Sequence, residues 1–381
     1  LNRYNCAGCH ALEMPKFEIP GGTKVAEAFT DFKGSLRSSY TQRGNDYLAE
    51  LYPGLTHDPK KKLDAENIEA ELGVKPDDGA PVSIEGMPIG TFENELTVQV
   101  WKPVTIRGYT FNIGDNVTLD QTKIRKVPGV GGDFAWLYAT WAQERAGTSF
   151  EAFWNRLPPP LLREGNKVQT PWLALFLLDP YAIRPAAQLR MPRFHYGKTM
   201  TTPTHETEEL ADYFAARDGA DFPYQTIPQQ QTRYVAEREQ AHPDYLGAGW
   251  TMMANKGSPC IQCHAIGQFK PTGGEQVVNG PDLRQVSSRF RPEYLEAWIA
   301  NPKRLLPYTA MPQNVVPHGA PQIPVPKTFE NQPIEMVRAI RDTLLNYTSV
   351  VEQQLAGDKA PMNTPPAPAT AAAAKPTGAS Q

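Results

Sequence analysis

The chain has 381 residues, 40% of them hydrophobic and 21% charged, with a formal net charge of −3. That length supports two or three domains with cores of their own, and the near-balanced charge excludes a general attraction to nucleic acid. The longest apolar run, 172–178, is far too short to cross a bilayer, and proline, with 37 residues, is about twice as frequent as usual, which predicts many turns and irregular connections.

The first element in chain order is Cys6-Ala7-Gly8-Cys9-His10. A zinc site needs further Cys or His ligands at matching spacing, and a thioredoxin-type redox pair has no need of the histidine. The third reading is c-type haem attachment, beside the plainer one of a structural zinc shared with a second Cys2His set. On one helical turn the two thiols reach the two vinyl groups of one porphyrin, and the adjacent imidazole takes the proximal iron position. Cys260-Ile261-Gln262-Cys263-His264 is a second complete copy, and the two copies use all four cysteines. Haem c is attached outside the cytoplasm, so a leader or anchor is expected ahead of Leu1. With five residues before Cys6, the expectation is a processed N-terminus or a piece of a longer protein.

Residues 17–157 are expected to form a small α+β insertion. Its stretch 57–78 reads as a helix and loops. Residues 95–120 alternate β-branched and aromatic with polar residues and predict two or three short strands in hairpins, and 134–146 and 149–157 read as amphipathic helices. Trp101, Trp136, Trp141 and Trp154 are expected in its core. Residues 219–239 read as a Pro- and Gln-containing linker, although Tyr234–Ala254 also reads as the helical approach to the second motif. Helices are expected over Glu206–Ala216 and Pro333–Leu355. The 356–381 tail is rich in Pro and Ala, has too few apolar residues to fold, and reads as disordered.

One module occurs twice. Trp172-Leu173 corresponds to Tyr294-Leu295, Asp179-Pro180 to Asn301-Pro302 and Pro185 to Pro307, and each copy ends in Met-Pro, at Met191 and Met311. The sequence CxxCH, a Gly-Pro-Asp-Leu loop, a short amphipathic helix ending in Asn-Pro and a Met-Pro loop resembles the class I cytochromes c, in a tandem, dihaem form of multihaem respiratory-chain type. The resemblance implies a mainly α fold of two cytochrome c-like helical haem domains, the first (1–16 with 158–218) interrupted by the insertion and the second spanning 240–355.

By position in that family, Met311 is the distal ligand opposite His264. Met191 has the same role opposite His10, with His195, Met200 and Met87 as rivals. A thioether is a soft donor that raises the reduction potential, whereas His195 would lower it. His57, His205, His242 and His318 read as solvent-facing or structural. Arg184, Arg190, Arg193 and Arg304 crowd the Met loops, either pairing with haem propionates, docking an acidic partner, or forming a solvated basic face. The implied function is single-electron transfer by two covalently bound haems c, with no catalytic site of the chain's own. The implied setting is the periplasm or the outer face of a bacterial membrane, with a quinol-oxidising complex, an oxidase or other cytochromes as partners. Membrane association would come through an upstream region or a partner subunit. The alternatives are a dihaem peroxidase-like enzyme or an electron-transfer domain of a larger oxidoreductase.

Overall fold

The computed structural model describes residues 3–43, 63–147, 154–185, 187, 189–196, 204–221, 226–255, 257–267, 270–274, 279–315 and 322–351. His57, Met200, His318, the 57–62 start of the charged stretch, most of the expected 149–157 helix and the 356–381 tail lie outside these residues. No helix among the described residues is long and apolar enough to cross a membrane.

The mainly α expectation is overturned. The chain is 42% helical and 15% strand, an α/β mix built around a five-stranded antiparallel sheet. Among the described residues the strands follow in order: β1 (Ala11–Glu13), β2 (Lys16–Ile19), β3 (Val82–Phe92), β4 (Glu95–Val100), β5 (Val104–Ile106), β6 (Tyr109–Phe111), β7 (Asn116–Asp120), β8 (Arg125–Val127) and β9 (Val130–Gly131). The large sheet has the order β7-β4-β3-β2-β8, while β1 pairs with β9 and β5 with β6.

The sheet begins next to the first cysteine motif, so the helical module and the strands are interleaved from residue 11 onward. Side chains alternate across a strand, and Val117 and Leu119 of β7, like Phe17 and Ile19 of β2, therefore face inward together. With Val98 and Leu36 of the Phe32–Arg43 helix they form one core. β3 was illegible because Gly86, Pro88 and Gly90 interrupt it, residues that argue against a strand. Here Gly86 is required by a close approach, since a Cβ would lie 2.3 Å from the Gln99 carbonyl oxygen, and a register shift between Pro88 and Gly90 absorbs the proline.

The two copies of the repeated module present matching elements. Thr170–Leu178 and Pro292–Ala300 are helices of 9 residues with proline in the first turn, where its missing N–H costs nothing. Val168 and Phe290, at equivalent places in the copies, form an antiparallel bridge with each other. The Gln169 N–H donates to the Arg289 carbonyl at 2.8 Å, and the Arg291 N–H donates to the Lys167 carbonyl at 3.0 Å. Since Gln169 and Arg291, and Lys167 and Arg289, are themselves equivalent pairs, the copies meet about a local two-fold axis.

The second copy holds the largest apolar cluster. The Pro333–Leu345 helix buries Met336, Val337, Ile340 and Leu344 at helical spacing and ends ten residues short of the expected Leu355. The Tyr245–Ala254 helix crosses it so closely that a Cβ on Gly249 would lie 2.5 Å from the Ala339 carbonyl. The expected continuous 234–254 helix is two helices, Thr232–Ala241 and Tyr245–Ala254. Pro243 disfavours helical backbone at His242, and Asp244 turns left-handed with φ 60°.

Candidate functional site

Each cysteine motif forms a single helical turn, Cys6–Cys9 and Cys260–Cys263, after which the histidine leaves the helix with extended backbone. The turn places both thiols on one side, and the extended exit swings the imidazole away from the helix axis. His10 Nδ1 donates to the Pro159 carbonyl at 2.7 Å, and His264 Nδ1 donates to the Pro281 carbonyl at the same 2.7 Å. A carbonyl can only accept, so both rings carry their proton on Nδ1 and present Nε2 as a lone-pair donor. Burial pushes both imidazole pKa values down, which favours the neutral, metal-binding form.

In the second copy, His264 and Cys260 line a small apolar cavity of about 50 Å³, and Met311 lines the same cavity with Leu283, Ile299 and Ile340. Gly280 closes the floor beneath the imidazole, where a Cβ would lie 2.5 Å from His264 Cε1. The Trp298 indole Nε1 donates to the Met311 sulfur at 2.9 Å, fixing the thioether. Burial raises the Cys260 and Cys263 thiol pKa values, so both are neutral thiols at neutral pH.

In the first copy the cradle is shared with the sheet. The Gly132 N–H donates to the Ala7 carbonyl at 2.7 Å, and a Cβ on Gly131 would lie 2.6 Å from the His10 carbonyl. Cys6 is half-buried, its thiol pKa raised by burial, and Cys9 is exposed. Met191 is half-buried against the cluster of Leu173, Leu177 and Phe214, together with Tyr4 and Leu161. His195 is exposed. Met87 is fully buried among Met14, Trp101 and Trp154, a core residue remote in role from a ligand.

Other expected residues fall elsewhere. Arg304, expected on a basic face or at a propionate, is buried to 1% exposure and paired with Asp115 of the sheet subdomain at 2.9 Å. Arg193 pairs with Asp179 at the surface, and Arg190 is exposed. Trp141, expected in the core, is 47% exposed, whereas Trp101 and Trp154 are buried. His205 is exposed beside Glu209, and His242 stacks on Phe329 with ring centroids 5.1 Å apart.

The two cysteine motifs do not assemble one shared zinc site. Among the described residues, no three His, Cys, Asp or Glu side chains come together as a metal-holding group. The two motifs thus do not pool their ligands as one zinc site requires. Cationic side chains also gather where the copies meet. Lys167 donates to Glu164 at 2.9 Å, Arg184 donates to the Leu157 carbonyl at 2.6 Å, and Arg289 lies 5.0 Å above the Trp172 ring with its Nε buried and unpartnered. Burial lowers the pKa values of Lys167 and Arg289, and Glu164 is the carboxylate that opposes this in both.

The proline carbonyls, Gly280 and Trp298 were not among the expected site residues. The Gly-Pro of 280–281 sits in the quoted motif, and Pro159 takes the matching place in the first copy, so the repeat itself was the available signal. No protein-family model matches the chain, and no curated protein or solved structure matches it.

Proposed function

We propose that the chain carries two haems c, one on Cys6, Cys9 and His10 and one on Cys260, Cys263 and His264, and passes single electrons between protein partners. The observation that carries this reading is the twinned histidine geometry, with each CxxCH imidazole held by a proline carbonyl at 2.7 Å and its Nε2 left to donate. A structural histidine needs no such pairing at equivalent places in two copies.

A bound haem supplies an iron that cycles between ferrous and ferric states. The chain's own residues do the rest. The CxxC turns would hold the macrocycle, and the proline carbonyls set the imidazole tautomer and plane. The apolar walls of Leu283, Ile299 and Ile340 exclude water from the second site. Met311 would offer a soft thioether to an iron held by His264, and Met191 would do so in the first copy, favoured over His195 by its packing. Lys167, Arg184 and Arg289 place excess positive charge between the copies, which suits the carboxylates of haem propionates.

The setting we propose is the periplasm or the outer face of a bacterial membrane, within a respiratory chain. A quinol-oxidising complex, an oxidase or other cytochromes are the partners, and membrane association comes through an upstream region or a partner subunit. The peroxidase-like alternative needs one iron with an open distal side and an acid–base group beside it. The test is axial ligation in the oxidised holoprotein, read by magnetic circular dichroism and electron paramagnetic resonance. Two low-spin His/Met signals are expected. A high-spin iron open to added ligands would transfer the reading to catalysis, and a product without covalent haem would end it.

A further inference from the structure

The sheet-bearing segment between the halves of the first copy grips the second copy at the loop that leads to Met311. Arg304 begins this grip. It is buried to 1% exposure, and its Nη1 donates both to the Ile113 carbonyl at 2.7 Å and to Asp115, 0% exposed, at 2.9 Å. Asp115 is itself held, accepting from the Asn112 N–H at 2.7 Å and from the Ser39 hydroxyl. Next along the loop, the Tyr308 carbonyl accepts from Asn155 Nδ2 at 2.7 Å, while the Leu305 carbonyl accepts from Arg163 of the first copy itself at 2.9 Å. The Tyr308 ring lies 5.8 Å from Trp101 and 6.3 Å from Trp154, and Leu306 packs into the same cluster. Every anchor lies within seven residues before Met311. The same segment meets the first motif through Gly131 and Gly132.

We propose that this segment is a bracket that positions the distal ligand of the second iron, with Asp115 and Asn155 as positioning residues acting on Met311 from the other copy. The inference rests on the haem reading above. A thioether is a weak, neutral ligand, so its residence on iron depends on how firmly the loop carrying it is held. A rigid neighbour holding that loop by a buried ion pair and backbone hydrogen bonds does this without touching the iron. The second iron's ligation would then answer to a part of the chain far from it in sequence, and the strands would have a role in tuning one centre by way of the other's insertion.

The experiment uses the full holoprotein, with covalent haem first confirmed by the pyridine haemochrome spectrum. Cyanide uptake by the ferric protein is followed, because cyanide enters only when the methionine leaves. The second haem's phase is assigned with Met311→Ala, in which that phase becomes fast. Asp115→Asn and Asn155→Leu are expected to speed that phase by tenfold or more, to weaken the thioether-to-iron charge-transfer absorption, and to leave the first haem's phase unchanged. Arg125→Gln, which removes an exposed pair with Glu18 on the far strand of the same sheet, is expected to alter neither phase. Asn155→Leu removes one hydrogen bond at a half-buried position and carries the test even where Asp115→Asn does not fold. Unchanged uptake and absorption in a folded Asn155→Leu protein would overturn the bracket while leaving the haem reading intact. A haem-free product would overturn that reading instead.

Discussion

Gly280→Ala is the sharpest perturbation of the second site. No positive φ is involved, so alanine's only effect is its methyl group, placed 2.5 Å from His264 Cε1 and 2.7 Å from Nδ1. Ordinary contact begins about 1 Å farther out, so the ring must retreat by roughly that amount. The methyl stands over the ring face, 2.5–2.9 Å from Cε1, Nδ1 and Nε2, so the ring retreats along its normal and the 2.7 Å bond to the Pro281 carbonyl is bent out of line and weakened. Overpacking costs about 1–3 kcal/mol, and the weakened hydrogen bond about 1 kcal/mol more. The expected loss is about 2–4 kcal/mol, read as a fall in the urea midpoint together with an altered absorption band of the second haem. Gly257→Ala is the comparison, with φ 92° and nothing within 4 Å of its Cβ, where backbone conformation alone costs about 1–2 kcal/mol. A Gly280→Ala protein no less stable than Gly257→Ala, with an unaltered spectrum, would refute the claim that Gly280 seats the imidazole.

Trp298→Phe removes the 2.9 Å hydrogen bond to the Met311 sulfur. A donor on sulfur favours ferrous iron by withdrawing density, so the second haem's potential should fall by about 20–60 mV, the equivalent of one net hydrogen bond, in a spectroscopic redox titration. Met191→Ala should abolish low-spin His/Met signals at the first haem while His195→Ala leaves them, and the opposite pattern would give the first iron to His195. Burial alone would raise the Glu335 pKa, but hydrogen bonds and charge from Arg238 and Arg338 outweigh it and hold the carboxyl below its ordinary 4.5. A depressed carboxylate stabilises the fold above its unfolded-state pKa, and that contribution fades as pH falls through the folded value. Glu335→Gln should therefore lower Tm by a constant amount above about pH 5, with the gap closing in acid. A gap independent of pH would show that the carboxylate's charge is not what matters.

The two cysteine motifs, the repeat and the helices around 205–217, 292–300 and 333–345 were legible because their signals are local: fixed spacing, apolar periodicity and proline at helix starts. The class of the fold was not. Strand β2 is four residues long and follows the first cysteine motif almost directly, and β3 carries Gly86 and Pro88, so both depend on pairing with each other across about 65 residues of chain. Arg304 looks like a surface cation in sequence, because the carboxylate that buries it stands at position 115. Pro159 takes its meaning from His10, on the other side of the whole insertion. Trp141 follows the helical pattern of its neighbours yet lies on the outer side of Asp133–Ala146.

The bridge between Val168 and Phe290 is the self-complementary contact of a two-fold dimer, formed here within one polypeptide. Two separate, identical subunits joined in this way would have to carry the same insertions, and each Met loop would be gripped by its neighbour's sheet. Covalent union of the halves lifts that constraint. One half bears the sheet and the other receives it, so the two centres experience different surroundings while their backbone contact stays symmetric. A pair of like sites thereby becomes a directional one, with an inequality between its ends that a symmetric dimer cannot possess.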